Sequence, residues 1–165
     1  MEKFILGVLV NNQFGVLTRV SSLFSRRGFN IDSLSVGVTE NPICSRMTIV
    51  ACGDEHDKEQ IVKQLEKLQD VIKVEILTEE RSVAREILLI KLKVNKEERV
   101  ELMQTLGIFT ARVLDFDTET VVIEVTGSGA KLDAFVKYMH EFEIMEMCRT
   151  GLTAMARGEN LLKND

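Results

Sequence analysis

The stretch Asn11-Asn12-Gln13-Phe14-Gly15-Val16-Leu17-Thr18-Arg19-Val20, running on to Arg27-Gly28-Phe29-Asn30-Ile31-Asp32-Ser33-Leu34, decides the fold of this chain. An apolar run from Phe4 to Val10 ends in two asparagines and a glycine. Val16, Leu17, Val20, Leu23 and Phe24 then fall at i, i+1, i+4, i+7 and i+8, one apolar stripe of a helix. Arg26 and Arg27 suit a helix C-terminus, and Gly28 reads as the residue just past it. The order is strand, tight loop, helix, strand. Such a loop sets backbone N–H groups at a helix N-terminus beside amide side chains, a geometry suited to a small molecule carrying a carboxylate and an ammonium.

Downstream, residues 30–39 and 44–52 alternate or run apolar around Glu40-Asn41-Pro42, which holds the only proline, and predict a hairpin. Asp54-Glu55 opens a second helix with Ile61, Leu65 and Leu68 on one face, and a strand follows at 71–77. This completes a β-α-β-β-α-β, ferredoxin-like unit. Residues 78–84 are polar and read as a linker. The order then repeats: strand 85–94, helix 96–106, strands 111–117 and 120–126, a helix from Lys131 carrying Leu132, Phe135, Val136 and Met139, and a strand at 143–150. The expected class is α+β, two tandem ferredoxin-like βαββαβ units spanning 1–78 and 79–165. The polar tail from Arg157 is expected to fray.

Bulk composition excludes several function classes. With 165 residues, 45% hydrophobic and 28% charged, the chain is globular rather than disordered or fibrous. A net charge of -5 and the absence of Trp argue against binding nucleic acid, which needs a basic face. The longest apolar runs are about 8 residues against the roughly 20 that span a bilayer, so no membrane partner is expected. Met1-Glu2-Lys3 lacks the start of a signal peptide, and a cytoplasmic location follows as the expectation. Cys44, Cys52 and Cys148 are too scattered for a zinc site or a disulfide framework, and read as free thiols.

No Ser-His-Asp, H-E-x-x-H, P-loop or paired-carboxylate pattern can be assembled, so no catalytic residue and no metal ligand is assigned. His56 and His140 stand alone, and Gly127-Ser128-Gly129 lacks the further residues of a phosphate loop. Asn12, Gly15 and Asn30 are the sharper candidates. First-turn amides near Gly15 and Val16 would hold a carboxylate, and the carboxamide oxygens of Asn12 and Asn30 would take an ammonium. Val16, Leu17, Ile31 or Leu34 would floor an aliphatic side chain. The plainer alternative is that Asn12 caps the helix, Gly15 turns the chain and Asn30 takes a left-handed conformation. Arg46 and Arg149 lie in predicted strands and point to solvent or face a protein partner. The apolar strands of the first unit leave a sheet face or edge to cover, and a two-fold homodimer through that unit is expected.

Seven segments together carry a family resemblance: Asn12-x-x-Gly15-Val-Leu-x-Arg19-Val, Leu23-Phe-Ser-x-Arg27-Gly-Phe-Asn-Ile-Asp-Ser-Leu34, Ser45-Arg-Met-Thr-Ile49, Lys63-Gln-Leu-x-Lys-Leu68, Arg85-Glu-Ile-x-Leu-Ile-Lys91, Lys131-Leu-Asp-Ala-Phe135 and Arg149-Thr-Gly151. The chain resembles, over nearly its whole length, the small regulatory subunits of acetolactate synthase (acetohydroxyacid synthase). The resemblance implies that the first unit is an ACT domain, an amino-acid sensor. It implies a non-catalytic role: raising the activity of a large catalytic subunit, and conferring feedback inhibition by a branched-chain amino acid, valine foremost. That subunit would carry thiamine diphosphate, magnesium and FAD, and would condense pyruvate with pyruvate or 2-oxobutyrate toward valine, leucine and isoleucine. This chain would hold no cofactor. By matched position Asn12, Gly15 and Asn30 are implied effector contacts, with Val16, Leu17 and Ile31 as neighbours, the effector lying between two ACT domains of a dimer. Two other readings are a free-standing ACT-type sensor serving a different enzyme or regulator, and an autonomous enzyme.

Overall fold

A computed structural model describes residues 2–162. The chain forms two compact units: residues 1–84 together with 151–165, and residues 85–150. This division differs from the expected 1–78 and 79–165 chiefly because the C-terminal segment returns to the first unit.

In the first unit the strands are β1 (Glu2–Asn11), β2 (Ile31–Val38), β3 (Cys44–Gly53) and β4 (Val71–Leu77), and the helices are α1 (Val16–Arg26) and α2 (Glu55–Leu65). The sheet order is β2-β3-β1-β4, with β1 antiparallel to β3 and β4, and β2 antiparallel to β3. Phe4, Leu6, Val8 and Val10 of β1 and Met47, Ile49 and Ala51 of β3 pack under the two helices with Val20, Phe24, Ile61 and Leu65. Burying each large side chain contributes about 1.5–3 kcal/mol. Helix α1 ends as its sequence foretells. Gly28 adopts φ +73°, Gly28 N–H donates to Ser25 O, and Phe29 N–H donates to Phe24 O at 3.0 Å. This pair of bonds satisfies two carbonyls that the last helical turn leaves free.

The other face of the same sheet is also covered, which explains why β1 is apolar without alternation. The C-terminal segment runs over it. Leu152 N–H donates to Ser33 Oγ, Ser35 Oγ donates to Leu152 O, Ala154 N–H donates to Thr48 Oγ1, and Arg46 Nη2 donates to Ala154 O at 2.9 Å. Lys73 Nζ reaches Leu161 O, and Leu162 is buried against Leu9 and Cys44. Gly7 makes room for this cover, since a Cβ there would stand 3.2 Å from both Arg46 and Leu162. The tail is therefore not frayed through Leu162. Arg46 fastens the chain's own C-terminal segment.

The second unit contains most of β5 (Ser82–Lys93), then α3 (Lys96–Phe109), β6 (Arg112–Phe116), β7 (Thr120–Gly127), α4 (Gly129–Met139) and β8 (Glu143–Arg149), with sheet order β6-β7-β5-β8. Strand β5 starts at Ser82, so the expected linker 78–84 is a short 3-10 turn at Glu79–Arg81 followed by strand. A further strand, β9 (Thr153–Ala156), pairs with β5. Leu88, Ile90, Leu92, Ile123, Leu132, Phe135 and Met139 form this unit's core. Arg149 ties its elements together, donating to Glu86 Oε2 and Asp133 Oδ1, each at 2.5 Å, and to Gly129 O. Glu86 first, then Asp133, raise the Arg149 pKa above its ordinary value. Both arginines singled out in strands are thus internal fasteners. The fold is α+β with two βαββαβ units, as expected from the pattern.

Candidate functional site

The loop between β1 and α1 differs from every other helix entrance among the described residues. α2 and α3 open with reciprocal caps, Asp54 with Asp57 and Asn95 with Glu98, and Ser128 caps α4. α1 has no capping side chain and no acid in its first turn. Its entrance is Gly15 at φ +82°, a conformation that glycine adopts without cost. Val16 N–H reaches only Gln13 O, at 3.4 Å. The N–H groups of Phe14, Gly15, Leu17 and Thr18 have no acceptor among the described residues. Four free donors and the positive end of a helix make a place for a carboxylate.

Asn12 is not the helix cap. Its Nδ2 donates to Pro42 O at 3.0 Å and its backbone N–H to Ile43 O at 2.7 Å, so it binds the loop to the β2–β3 hairpin. That orientation leaves its carboxamide oxygen as an acceptor. Arg19, which sequence reasoning passed over, folds back beside the loop. Its guanidinium pairs with Asp70 at 2.7 Å and Nη2 approaches Phe14 O at 3.4 Å, while Asp70 O accepts from Asn11 N–H. A Cβ on Gly15 would lie 3.1 Å from Arg19 Nη1. The Phe14 side chain is fully exposed at 102%.

The remaining candidates divide between this loop and the far end of the sheet. Val16 is buried in the core, whereas Leu17 is exposed. Asn30 precedes β2, and its Nδ2 donates to Asp32 Oδ1 at 3.1 Å; its φ is not positive. Ile31 and Leu34 are half-buried against the core. Asn30 is not beside Asn12. Asn11 pairs with Cys44 at the start of β3, and Ile31 pairs with Ala51 near its end, about 23 Å away at roughly 3.3 Å per residue. Within one chain the structure brings Asn12, Gly15 and Leu17 together and sets Asn30 and Ile31 at the opposite end of the sheet.

Elsewhere, His56 lies in the first turn of α2 and His140 follows α4. No group of three His, Cys, Asp or Glu side chains among the described residues could hold a metal ion. Among the described residues no helix is long and apolar enough to cross a membrane.

Comparison with known proteins resolves the family. Residues 6–73 match the family model described as the AHAS small subunit-like ACT domain, and residues 85–158 match the small subunit of acetolactate synthase. The chain belongs to the acetolactate synthase small-subunit family. A probable acetolactate synthase small subunit of Archaeoglobus fulgidus is 49% identical over 94% of this chain and 98% of its own. The acetolactate synthase small subunit of Mycolicibacterium smegmatis is 46% identical over 93% of this chain and 90% of its own. The crystal structure of the acetolactate synthase small subunit from Thermotoga maritima superposes with a TM-score of 0.91 at 38% identity, covering 97% of this chain and 100% of that one. The first unit is thus the ACT domain of a small subunit, and the Asn12–Gly15 loop lies inside the matched ACT segment.

Proposed function

We propose that this chain is the regulatory subunit of acetolactate synthase, activating a thiamine-diphosphate-dependent catalytic subunit and imposing feedback inhibition by a branched-chain amino acid, valine foremost. The observation that carries the effector reading is the separation of Asn30 from Gly15 along a sheet whose edge strand lies between them. β2 is that edge, and Val36 and Val38 on it are 45% and 61% exposed. An unpaired edge with exposed apolar side chains calls for a partner. A two-fold axis through the middle of β2 would pair it antiparallel with its copy. Asn30 of one chain would then come to the hairpin end of the other, next to Asn12 and Gly15. Each dimer would hold two such sites.

The chemistry of the site matches a free amino acid. The open amides of α1 take the carboxylate, the carboxamide oxygens take the ammonium, and exposed Leu17 with Ile31 of the other copy meets the side chain. A Kd between about 10 μM and 1 mM needs only ~4–7 kcal/mol. Coupling of about 1–3 kcal/mol to the catalytic subunit is enough to regulate it, and the catalytic subunit must then alter effector affinity by the same factor.

The test is acetolactate formation by the cognate large subunit, with and without this chain, across titrations of valine, leucine and isoleucine. Stimulation with inhibition by one of them is the expected result. No stimulation would overturn the assignment as its activating subunit.

A further inference from the structure

In the second unit the outward side of α3 is apolar, although its inward side already fills the core. Leu102, Thr105 and Leu106 are buried, and Val100, Met103 and Gly107, at i, i+3 and i+7, form a stripe on the opposite side. Val100 is 65% exposed and Met103 51%. A helix that is apolar all round belongs between two layers, and α3 has a layer on one side only. We infer that this face is the surface through which the second unit docks the large catalytic subunit.

Glycine inside a helix weakens it relative to alanine, and a Cβ at Gly107 would meet nothing within 4 Å, so packing within the chain does not call for it. A second backbone approaching the helix at that point does. The face continues onto β6, an edge of the second sheet. The Arg99 guanidinium lies 4.6 Å from the centre of the Phe116 ring and Arg99 Nη2 donates to Asp117 O, which fixes the end of β6 beside the start of α3. Helix and strand run in opposite directions, so Met103, about 5.4 Å further along α3, comes level with Leu114, roughly 6.6 Å back along β6. Leu114 and Phe116 are both exposed. β6 has only 5 residues and its register shifts at Leu114, which blunts the edge against strand addition. A partner therefore meets side chains here and does not extend the sheet.

Charge distinguishes the partner from a second copy of this chain. Glu97 and Glu101 on α3 and Asp115 on β6 are exposed around the face, with Lys96 as the exposed base in the first turn of the helix. A two-fold axis across α3 would set Glu97 and Glu101 against the last turn of the other α3, which carries no base, or, with the helices parallel, against themselves. The acids instead fit an apolar segment bordered by lysine or arginine. The entrance of α3 is closed by Asn95 and Glu98, so the second unit repeats the order of the first without its open amides and offers no second effector loop at that place. For a regulatory subunit the partner that remains is the large subunit.

The inference rests on the regulatory-subunit reading, and the experiment tells their failures apart. The cognate large subunit, carrying a fluorescent label, is titrated with the intact chain while complex formation is followed by sedimentation and acetolactate formation is assayed beside it. Val100→Glu and Met103→Glu should each weaken complex formation about tenfold or more, since docking would bury the new carboxylate among apolar groups. Gly107→Ala should make the free chain more resistant to urea and yet weaken the complex, a pair of opposite effects that a purely structural role would not produce. Each variant alone should sediment as wild type does. A wild-type chain that neither binds nor stimulates the large subunit would overturn the regulatory reading and this inference with it. A wild-type chain that does both, with Val100→Glu and Met103→Glu binding as tightly, would overturn the inference alone. So would a smaller assembly of either variant in the absence of large subunit, which would give the face to a second copy.

Discussion

Asn12 and Asn30 stand at opposite ends of one four-stranded sheet, the first fastened to Pro42 O beside the start of β3, the second preceding Ile31, which pairs with Ala51 near its end. The β1-α1-β2 crossover imposes this, since β1 and β2 both run antiparallel to β3 and so begin at the same end. Residues that close β1 and residues that open β2 are separated by the length of a strand.

Gly15→Asp should abolish valine inhibition while leaving activation of the large subunit. Its carboxylate would repel the ligand's and seek Arg19, whose Nη1 lies 3.1 Å from where the new Cβ would stand. Gly15→Ala isolates the backbone term. The left-handed φ should cost about 1 kcal/mol of stability, read by urea denaturation, with inhibition weakened rather than lost.

Leu162→Ala should destabilise the first unit by about 2 kcal/mol, at the lower end for a buried leucine because the satellite cluster it joins is small. Leu9 and Cys44 are its neighbours, so the same change should open Cys44 to a thiol reagent under native conditions. Unchanged stability and a protected Cys44 would mean that the C-terminal segment is not seated on the sheet.

How far the fold was legible depends on what kind of contact builds each part. Helix α1, its Gly28 terminus and the β2–β3 hairpin rest on local signals: apolar period, a left-handed glycine, a proline turn. The unalternating β1 even announced burial on both faces. What covers the second face did not show, because residues 151–161 are held by hydroxyls and backbone groups of Ser33, Ser35 and Thr48, bonds that leave no mark in a hydropathy pattern. The candidate site was legible as a set of residue types and not as an arrangement. The parallel relation of β1 and β2, implicit in the βαβ order, was the signal that could have separated Asn12 from Asn30. Arg19 escaped notice because its role depends on Asp70, 51 residues away.

Arg149→Lys should destabilise the second unit by roughly 1–2 kcal/mol, since an ammonium cannot reproduce a fork that engages Glu86, Asp133 and Gly129 O together. Hydrogen exchange should quicken in β5, α4 and β8 while β1 and β3 keep their protection. Equal loss in both units would contradict this assignment of Arg149.

Cys52 donates to Asp32 Oδ2 at 3.3 Å, and Lys3 lies 3.1 Å from the same oxygen. The hydrogen bond from Lys3, then that from Cys52, holds the Asp32 carboxyl below its ordinary value, and the Asp32 carboxylate in turn pushes the Cys52 thiol up. A carboxyl with a lowered folded pKa adds stability above its unfolded pKa of about 4 and loses it as pH falls through the folded value, so neutral pH leaves this contribution constant. At alkaline pH the thiol reports instead. Alkylation of Cys52 should follow a pH profile displaced upward, and Asp32→Asn should bring it back down; an identical profile in the variant would refute the coupling.

The most direct test of a site shared between two copies is complementation between variants. Gly15→Asp and Asn30→Ala homodimers should each bind valine weakly or not at all. When the two chains are mixed and reassociated, every mixed dimer should regain one intact site, built from Gly15 of one chain and Asn30 of the other. Valine binding, measured by calorimetry, should reappear at one equivalent per mixed dimer. Mixed dimers that form and still fail to bind valine would show that Gly15 and Asn30 do not meet across the interface.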